Sequence, residues 1–398
     1  MSFKLGKKKS LTAIAIALLA TTVILGLQLA TISSADSGSN NNTIQPFTHV
    51  FYIMMENHGT TNIVGSPSAP YINQLIANYG YDSNYFGVTH VSLPNYVAAI
   101  TGNNWYSYSD DPTQTFNHTS LADQLVANNI SWKAYMEDLP NPGNTTYWYP
   151  DNLPTGTSPS TTPSNALYAL KHDPFLLMTD IRSNPQLADN VVPLTQLTAD
   201  LQANKVPQFV WISPNVCNDM HGQPPGPGAT CPYTLPDSAQ IQNGDNFLKQ
   251  WVTAIMNSKA WTGNSIIFIA WDEAEYPSTG ATPQQIAAFT APGPDAPIVP
   301  SGVISGFGGG AYGGGNVPLI VITTHEQQPT TINTWADHYS ILRTIEMSWN
   351  LGYLGMASDG TQVQALTGFF QNNGHQQDRG QYAIQAIESI STELLRRY

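Results

Sequence analysis

The chain has 398 residues and a formal charge of −13, and only 10% of its residues are charged. The usual share is roughly a quarter, yet 41% hydrophobic residues supply a core, which excludes a disordered chain or a disulfide-stapled miniprotein. The 14 Lys and Arg include Lys4, Lys7, Lys8 and Lys9, so no basic cluster remains downstream to neutralise phosphates, and nucleic acid is excluded as a partner.

In chain order, the basic start is followed by an apolar run over 11–30 and by Ser33-Ser34-Ala35. That pattern predicts an export signal over 1–35, either cleaved or kept as an anchor. A polar linker over 36–46 precedes the first predicted strand, 49–55 (HVFYIMM). Further short β-branched or aromatic runs predict strands at 208–213, 265–271 and 318–323. Helical periodicity appears at 70–79, 120–128, 245–256 and 337–347. This alternation predicts an α/β fold with a central, mostly parallel sheet flanked by helices. The stretch 147–172, with its low-complexity segment TGTSPSTTPS, is expected to be a cap or insertion rather than sheet. The glycine run over 306–315 lacks a following Lys-Ser/Thr and precedes a strand, so it is expected to be a mobile loop and not a phosphate cradle. The apolar stripe Ile384, Ile387, Ile390 and Leu394 predicts a C-terminal helix within 373–398, after a catalytic domain spanning 47–372.

Three of the strands run straight into polar residues that make poor core. Glu56, Asn57 and His58 follow the first; Asn215, Asn218, Asp219 and His221 the second; Asp272 and Glu273 the third. Ligands in open parallel sheets bind beyond the carboxyl ends of strands, so these groups are expected on one rim. Adjacent carboxylates repel unless they share a proton or a cation. With Glu56 and Asn57 they offer hard oxygen donors for one divalent ion, Ca²⁺, Mg²⁺, Mn²⁺ or Zn²⁺, although zinc usually recruits more His or Cys. Ser92 sits at the start of a helical run, where a hydroxyl is either an N-cap or a nucleophile. Cys217 and Cys231 enclose a Pro/Gly loop and pair most simply as a disulfide outside the cytosol.

The segments Glu56-Asn57-His58, HVSLPNY from His90, PNVCNDMH from Pro214, Trp271-Asp272-Glu273 and DHYSILRTIE from Asp337 occur in the order of a known family. They resemble the secreted phosphoesterases, which include bacterial acid phosphatases and phospholipases C within the alkaline-phosphatase-like superfamily. The resemblance implies a metal site of Glu56, Asn57, Ser92, Asp272 and Glu273. It further implies Ser92 as nucleophile, with His90, His221 and His338 contacting phosphate or transferring protons. The sequence departs from the family pattern at Val91 and Gly222. His172, in a segment that also resembles the family, either reaches the pocket from the insertion or is a plain surface histidine. The expected activity is phosphate-monoester hydrolysis through a phosphoserine. The alternatives are a phospholipase C-type phosphodiesterase and a non-catalytic cell-surface binding protein. The expected partner is a phosphorylated small molecule or a phospholipid, with no protein partner implied and membrane contact only through the N-terminus.

Overall fold

The computed structural model describes residues 44–275, 282–301, 310–325 and 329–370. The expected export signal, most of the linker and the C-terminal helix lie outside the described residues, as do glycines 306, 308 and 309.

The centre is an eight-stranded sheet. Its strands are β1 (Val50–Met55), β2 (Gly80–Asp82), β3 (Trp132–Met136), β4 (Val191–Pro193), β5 (Phe209–Ser213), β6 (Ile266–Trp271), β7 (Leu319–Thr323) and β8 (Thr330–Ile332), in the spatial order β8-β2-β7-β6-β1-β5-β3-β4. β1, β5 and β6 are buried along their whole length. Burial on both faces is why they appear in the sequence as unbroken apolar runs rather than alternating ones. Tyr52 and Trp211 pack at 4.6 Å between ring centroids in this core.

β1 lies parallel to β5 and β6, whereas β7 runs antiparallel to both of its neighbours, β6 and β2. The sheet is thus mostly parallel, as expected, with 318–323 as its antiparallel exception, and β7 ends at the opposite rim from β1 and β6. The register pairs Met55 with Trp271, and the Asp272 N–H donates to the Met55 carbonyl at 2.9 Å. Glu56 and Asp272 therefore leave the sheet side by side.

Helices α1 (Pro70–Asn78), α2 (Ser92–Thr101), α3 (Leu121–Ala127), α4 (Thr195–Ala203), α5 (Asp237–Met256), α6 (Pro283–Phe289) and α7 (His338–Ser348) accompany the sheet. α5 starts eight residues before the periodic stretch expected at 245, because its first turns carry Gln, Asn and Gly244 and hide the apolar period. Gly244 has a packing reason: a Cβ there would meet Met220 Cε at 2.3 Å and Met55 Cε at 2.9 Å. The insertion contributes a two-stranded ribbon, Trp148–Tyr149 with Tyr168–Ala169, outside the main sheet, followed by a 3-10 turn over Leu170–His172.

The described part of the glycine run is not a loose loop. Gly314 N–H donates to the Gly87 carbonyl at 2.8 Å, and the Ala274 N–H donates to the Gly314 carbonyl at 2.7 Å. A Cβ on Gly87 would fall 2.4 Å from the Asp272 carbonyl oxygen. The glycines let three backbones close under Asp272 and Glu273, a contact no side chain would allow.

Candidate active site

Ser92 is the first residue of α2, with Val91 as N-cap, and its hydroxyl makes no capping bond. It points instead at two carboxylates, donating to Glu56 Oε2 at 2.9 Å and to Glu273 Oε1 at 3.2 Å. Asn95, one turn on, fixes this placement. Its Oδ1 accepts from the N–H groups of Val88 and Thr89, and its Nδ2 donates to the carbonyls of Thr89 and Val91, all within 3.0 Å. A buried side-chain amide thus satisfies the loop that leads into the serine.

Glu56, Ser92, His90, Asp219, Asp272 and Glu273 are all at most 2% exposed. Burial, then the neighbouring Asp272 carboxylate, push the Glu56 carboxyl well above its ordinary range. Burial and Glu273 do the same to Asp272, and burial and Glu56 to Asp219. One oxygen of each has no hydrogen-bond partner among the described residues: Glu56 Oε1, Asp219 Oδ2 and Asp272 Oδ2. Four buried carboxyl groups with three orphaned oxygens are costly unless a cation or protons compensate them. The donor set therefore fits a divalent metal ion. Asn57 enters this group through its backbone, whose N–H donates to Asp272 Oδ1 at 3.0 Å.

The histidines divide in a way the motifs do not reveal. His90 Nδ1 bonds Glu273 Oε2, its Nε2 lies 2.8 Å from the Phe289 carbonyl, and its ring stacks on Phe289. It holds Glu273. His338 meets the Tyr85 hydroxyl at 2.7 Å and the Asp272 carbonyl at 2.8 Å, and burial pushes its ring down to about 4. In this geometry the His90 ring braces Glu273 and the His338 ring braces the Asp272 backbone. His221 Nδ1 faces the Gly222 carbonyl at 2.7 Å, an atom that only accepts, so Nδ1 bears the proton. Its Nε2 accepts from Lys171 Nζ at 3.3 Å. Burial, then Lys171, push His221 down to about 4.

Lys171 and Asp110 are the residues sequence reasoning missed, and of the two readings left open for His172 the structure favours the one that reaches the pocket. Lys171 is 4% exposed and donates to Asp110 Oδ2 at 2.8 Å. Burial alone would lower its amine, but Asp110 and Glu56 outweigh burial and raise it. Asp110 Oδ1 also accepts the Leu93 N–H at 3.0 Å, at the start of α2. His172 is not a surface residue. It is 2% exposed, lies flat against Tyr96 at 5.1 Å, and sits 3.2 Å from Glu56 Oε1 and 3.1 Å from Asp219 Oδ2 without hydrogen-bond alignment. Glu56, His172 and His221 each offer an atom within 4.8 Å of the others, so imidazole donors stand beside the oxygen set. A lone Lys inside the apolar run YALKHDPF was a usable signal; Asp110, in a Ser/Asp-rich loop, offered none.

The Cys217–Cys231 disulfide forms, with a sequence separation of 14, and closes the loop carrying Asp219 and His221. A loop of that length corresponds to roughly 3 kcal/mol of unfolded-state entropy.

The model of the phosphoesterase family matches residues 66–352. Curated relatives include an acid phosphatase of Aspergillus fumigatus, 25% identical over 71% of this chain and 51% of that protein. A phosphatidylinositol-3-phosphatase of Mycobacterium tuberculosis is 25% identical over 81% of this chain and 83% of that protein. A phosphate-repressible acid phosphatase of Penicillium chrysogenum is 24% identical over 69% of this chain and 52% of that one. The chain thus spans about half the length of the two fungal relatives. Among solved structures, one from a study of glycosaminoglycan metabolism by Bacteroides thetaiotaomicron is 13% identical and aligns over 82% of this chain and 81% of its own at a TM-score of 0.50, which shows a shared fold. A protein in the alkaline phosphatase superfamily from Vibrio parahaemolyticus aligns over 84% of this chain and 76% of its own, at 13% identity and a TM-score of 0.46.

Proposed function

We propose, from the premise that this chain belongs to the phosphoesterase family, that it is an exported, metal-dependent hydrolase of phosphate monoesters acting through a phosphoserine on Ser92. The observation that carries this reading is the Ser92 hydroxyl, free of any capping duty and held between Glu56 and Glu273 in a buried cluster of carboxylates. Glu56, Ser92, Asp272 and Glu273 would hold the ion, with Asn57 steadying Asp272 through its backbone N–H and His172 and His221 adjoining. When bound, it supplies positive charge against the phosphate and favours the ionised serine oxygen.

The chain's own residues do the rest. Glu56 accepts the Ser92 proton through the bond already formed. In-line attack by Oγ forms the Oγ–P bond as the ester oxygen departs; water then breaks Oγ–P and releases phosphate. Lys171, held as an ammonium by Asp110, offers positive charge to a phosphate oxygen and a proton from Nζ directly to the leaving alcohol, while its contact with His221 Nε2 holds the amine in place. His221 serves as lone-pair partner in this scheme rather than as the acid, because its proton sits on Nδ1. The acid phosphatase and phosphatidylinositol-3-phosphatase names of the relatives favour a monoester, on a small molecule or a lipid headgroup, over a phosphodiester. Export is supported by the Cys217–Cys231 disulfide.

The test compares p-nitrophenyl phosphate with p-nitrophenyl phosphorylcholine, for the wild type and Ser92→Ala, before and after chelation. Monoester turnover that falls at least about a thousandfold in Ser92→Ala, and that chelation abolishes, is the expected result. Wild-type-like hydrolysis by Ser92→Ala removes the assignment. Preference for the phosphorylcholine ester favours the diesterase, and inactivity of the wild type with every divalent metal favours a binding protein.

A further inference from the structure

The geometry points to a second cation site, apart from the phosphate-ester centre, formed by His58 Nε2 and the carboxylates of Asp237 and Glu275. Each offers a ligand atom within 4.8 Å of the others. His58 is 1% exposed, and its Nδ1 lies 3.1 Å from the Glu56 carbonyl. A carbonyl only accepts, so Nδ1 bears the hydrogen and Nε2 is aimed outward, 2.5 Å from Asp237 Oδ1. An imidazole whose far nitrogen is held by a backbone carbonyl is the arrangement that metal-binding histidines use, because it selects the tautomer and fixes the ring. Glu275 is held from its other side by Asn62 Nδ2, which donates to Oε2 at 2.8 Å.

The three ligands come from three elements. His58 follows β1 beyond a turn at Asn57, whose φ is 51°; Glu275 follows β6; Asp237 opens α5. The positive end of α5 opposes a cation, so two carboxylates are needed to make the site favourable. Glu275 is exposed and the Asp237 side chain is 43% exposed, which gives an entry path and leaves room for water as a further ligand. One imidazole with two carboxylates suits zinc or a neighbouring first-row metal better than calcium or magnesium, which prefer oxygen alone. An ion there would tie together the two strand exits that carry Glu56 and Glu273, two residues upstream of His58 and Glu275. The rival reading is a charge-assisted bond between a His58 imidazolium and Asp237, with no ion.

The test uses the full chain with Zn²⁺ for stoichiometry and Co²⁺ as a spectroscopic probe. Asp237→Asn and Glu275→Gln alter exposed side chains and preserve the fold; Glu56→Gln removes the catalytic cluster's shared ligand and leaves this site intact. Wild type is expected to retain one more equivalent of zinc than Asp237→Asn or Glu275→Gln after gel filtration. Glu56→Gln is expected to keep a Co²⁺ absorption band that Asp237→Asn lacks. Equal zinc content in wild type and Asp237→Asn, or retention of the extra equivalent by Glu275→Gln, overturns the proposal.

Discussion

Two histidine–carboxylate clusters hang from the same pair of strand exits, and they differ in how water reaches them. Around Ser92 the acids are sealed, three of their oxygens are orphaned, and one ammonium, Lys171, is the nearby positive side chain. Around His58 the ring is buried but its two acids are open to solvent on one side. A charge in the first cluster is weakly screened and strongly coupled to its neighbours; a charge in the second is largely answered by water. The difference teaches that the same residue types carry chemistry in one place and at most ion binding in the other.

Removing a charge from each cluster breaks the comparison if the effects match. Lys171→Met is expected to cost about a hundredfold or more in kcat/KM, since it withdraws charge from the phosphate and removes the partner of Asp110 Oδ2. Steady-state kinetics on p-nitrophenyl phosphate measure it. Asp237→Asn, with metal saturating, should leave kcat/KM within about twofold on the same assay, as befits a screened surface charge.

Asn95→Ala sharpens the role of burial. It strands four backbone groups around 88–91 and should destabilise the fold by about 2–4 kcal/mol in urea unfolding, with turnover lost as Ser92 drifts.

A further effect concerns pH and lies outside both clusters. Burial pushes Glu346 from 4.5 up to about 8, and burial pushes Asp173 from 3.8 up to about 7. The unfolded chain loses these protons near the ordinary values and the folded chain only at the raised ones. The folded state therefore holds extra protons between about pH 4 and 8, and stability falls as pH rises through that window. Thermal melts should show a higher Tm near pH 5 than near pH 8, and Glu346→Gln should flatten the slope.

Much of the site was legible because its members lie at the ends of recognisable strands. Glu56, Asp272 and Glu273 follow continuous apolar runs, and Ser92 opens a helix, so local pattern and motif order were enough to group them. The roles of the histidines were not legible. His90 and His338 look like phosphate ligands in the sequence, yet a ring nitrogen's partner depends on Phe289, Tyr85 and the Asp272 carbonyl, which no local pattern announces. The first turns of α5 were invisible because Gly244 exists to admit Met220 and Met55, a requirement of packing and not of helix propensity.

By itself the sequence determined the α/β alternation, the core strands, the cysteine pair and the carboxylate–serine group, since each rests on residue type and short-range spacing. Tertiary structure alone decided that β7 runs against its neighbours, that the glycine run clamps the Asp272 backbone, and that Lys171, Asp110 and His172 join the cluster. The physical reason is that strand direction and loop convergence are set by which buried surfaces and unpaired backbone groups meet across the fold, energies that belong to pairs of distant segments and to neither segment alone.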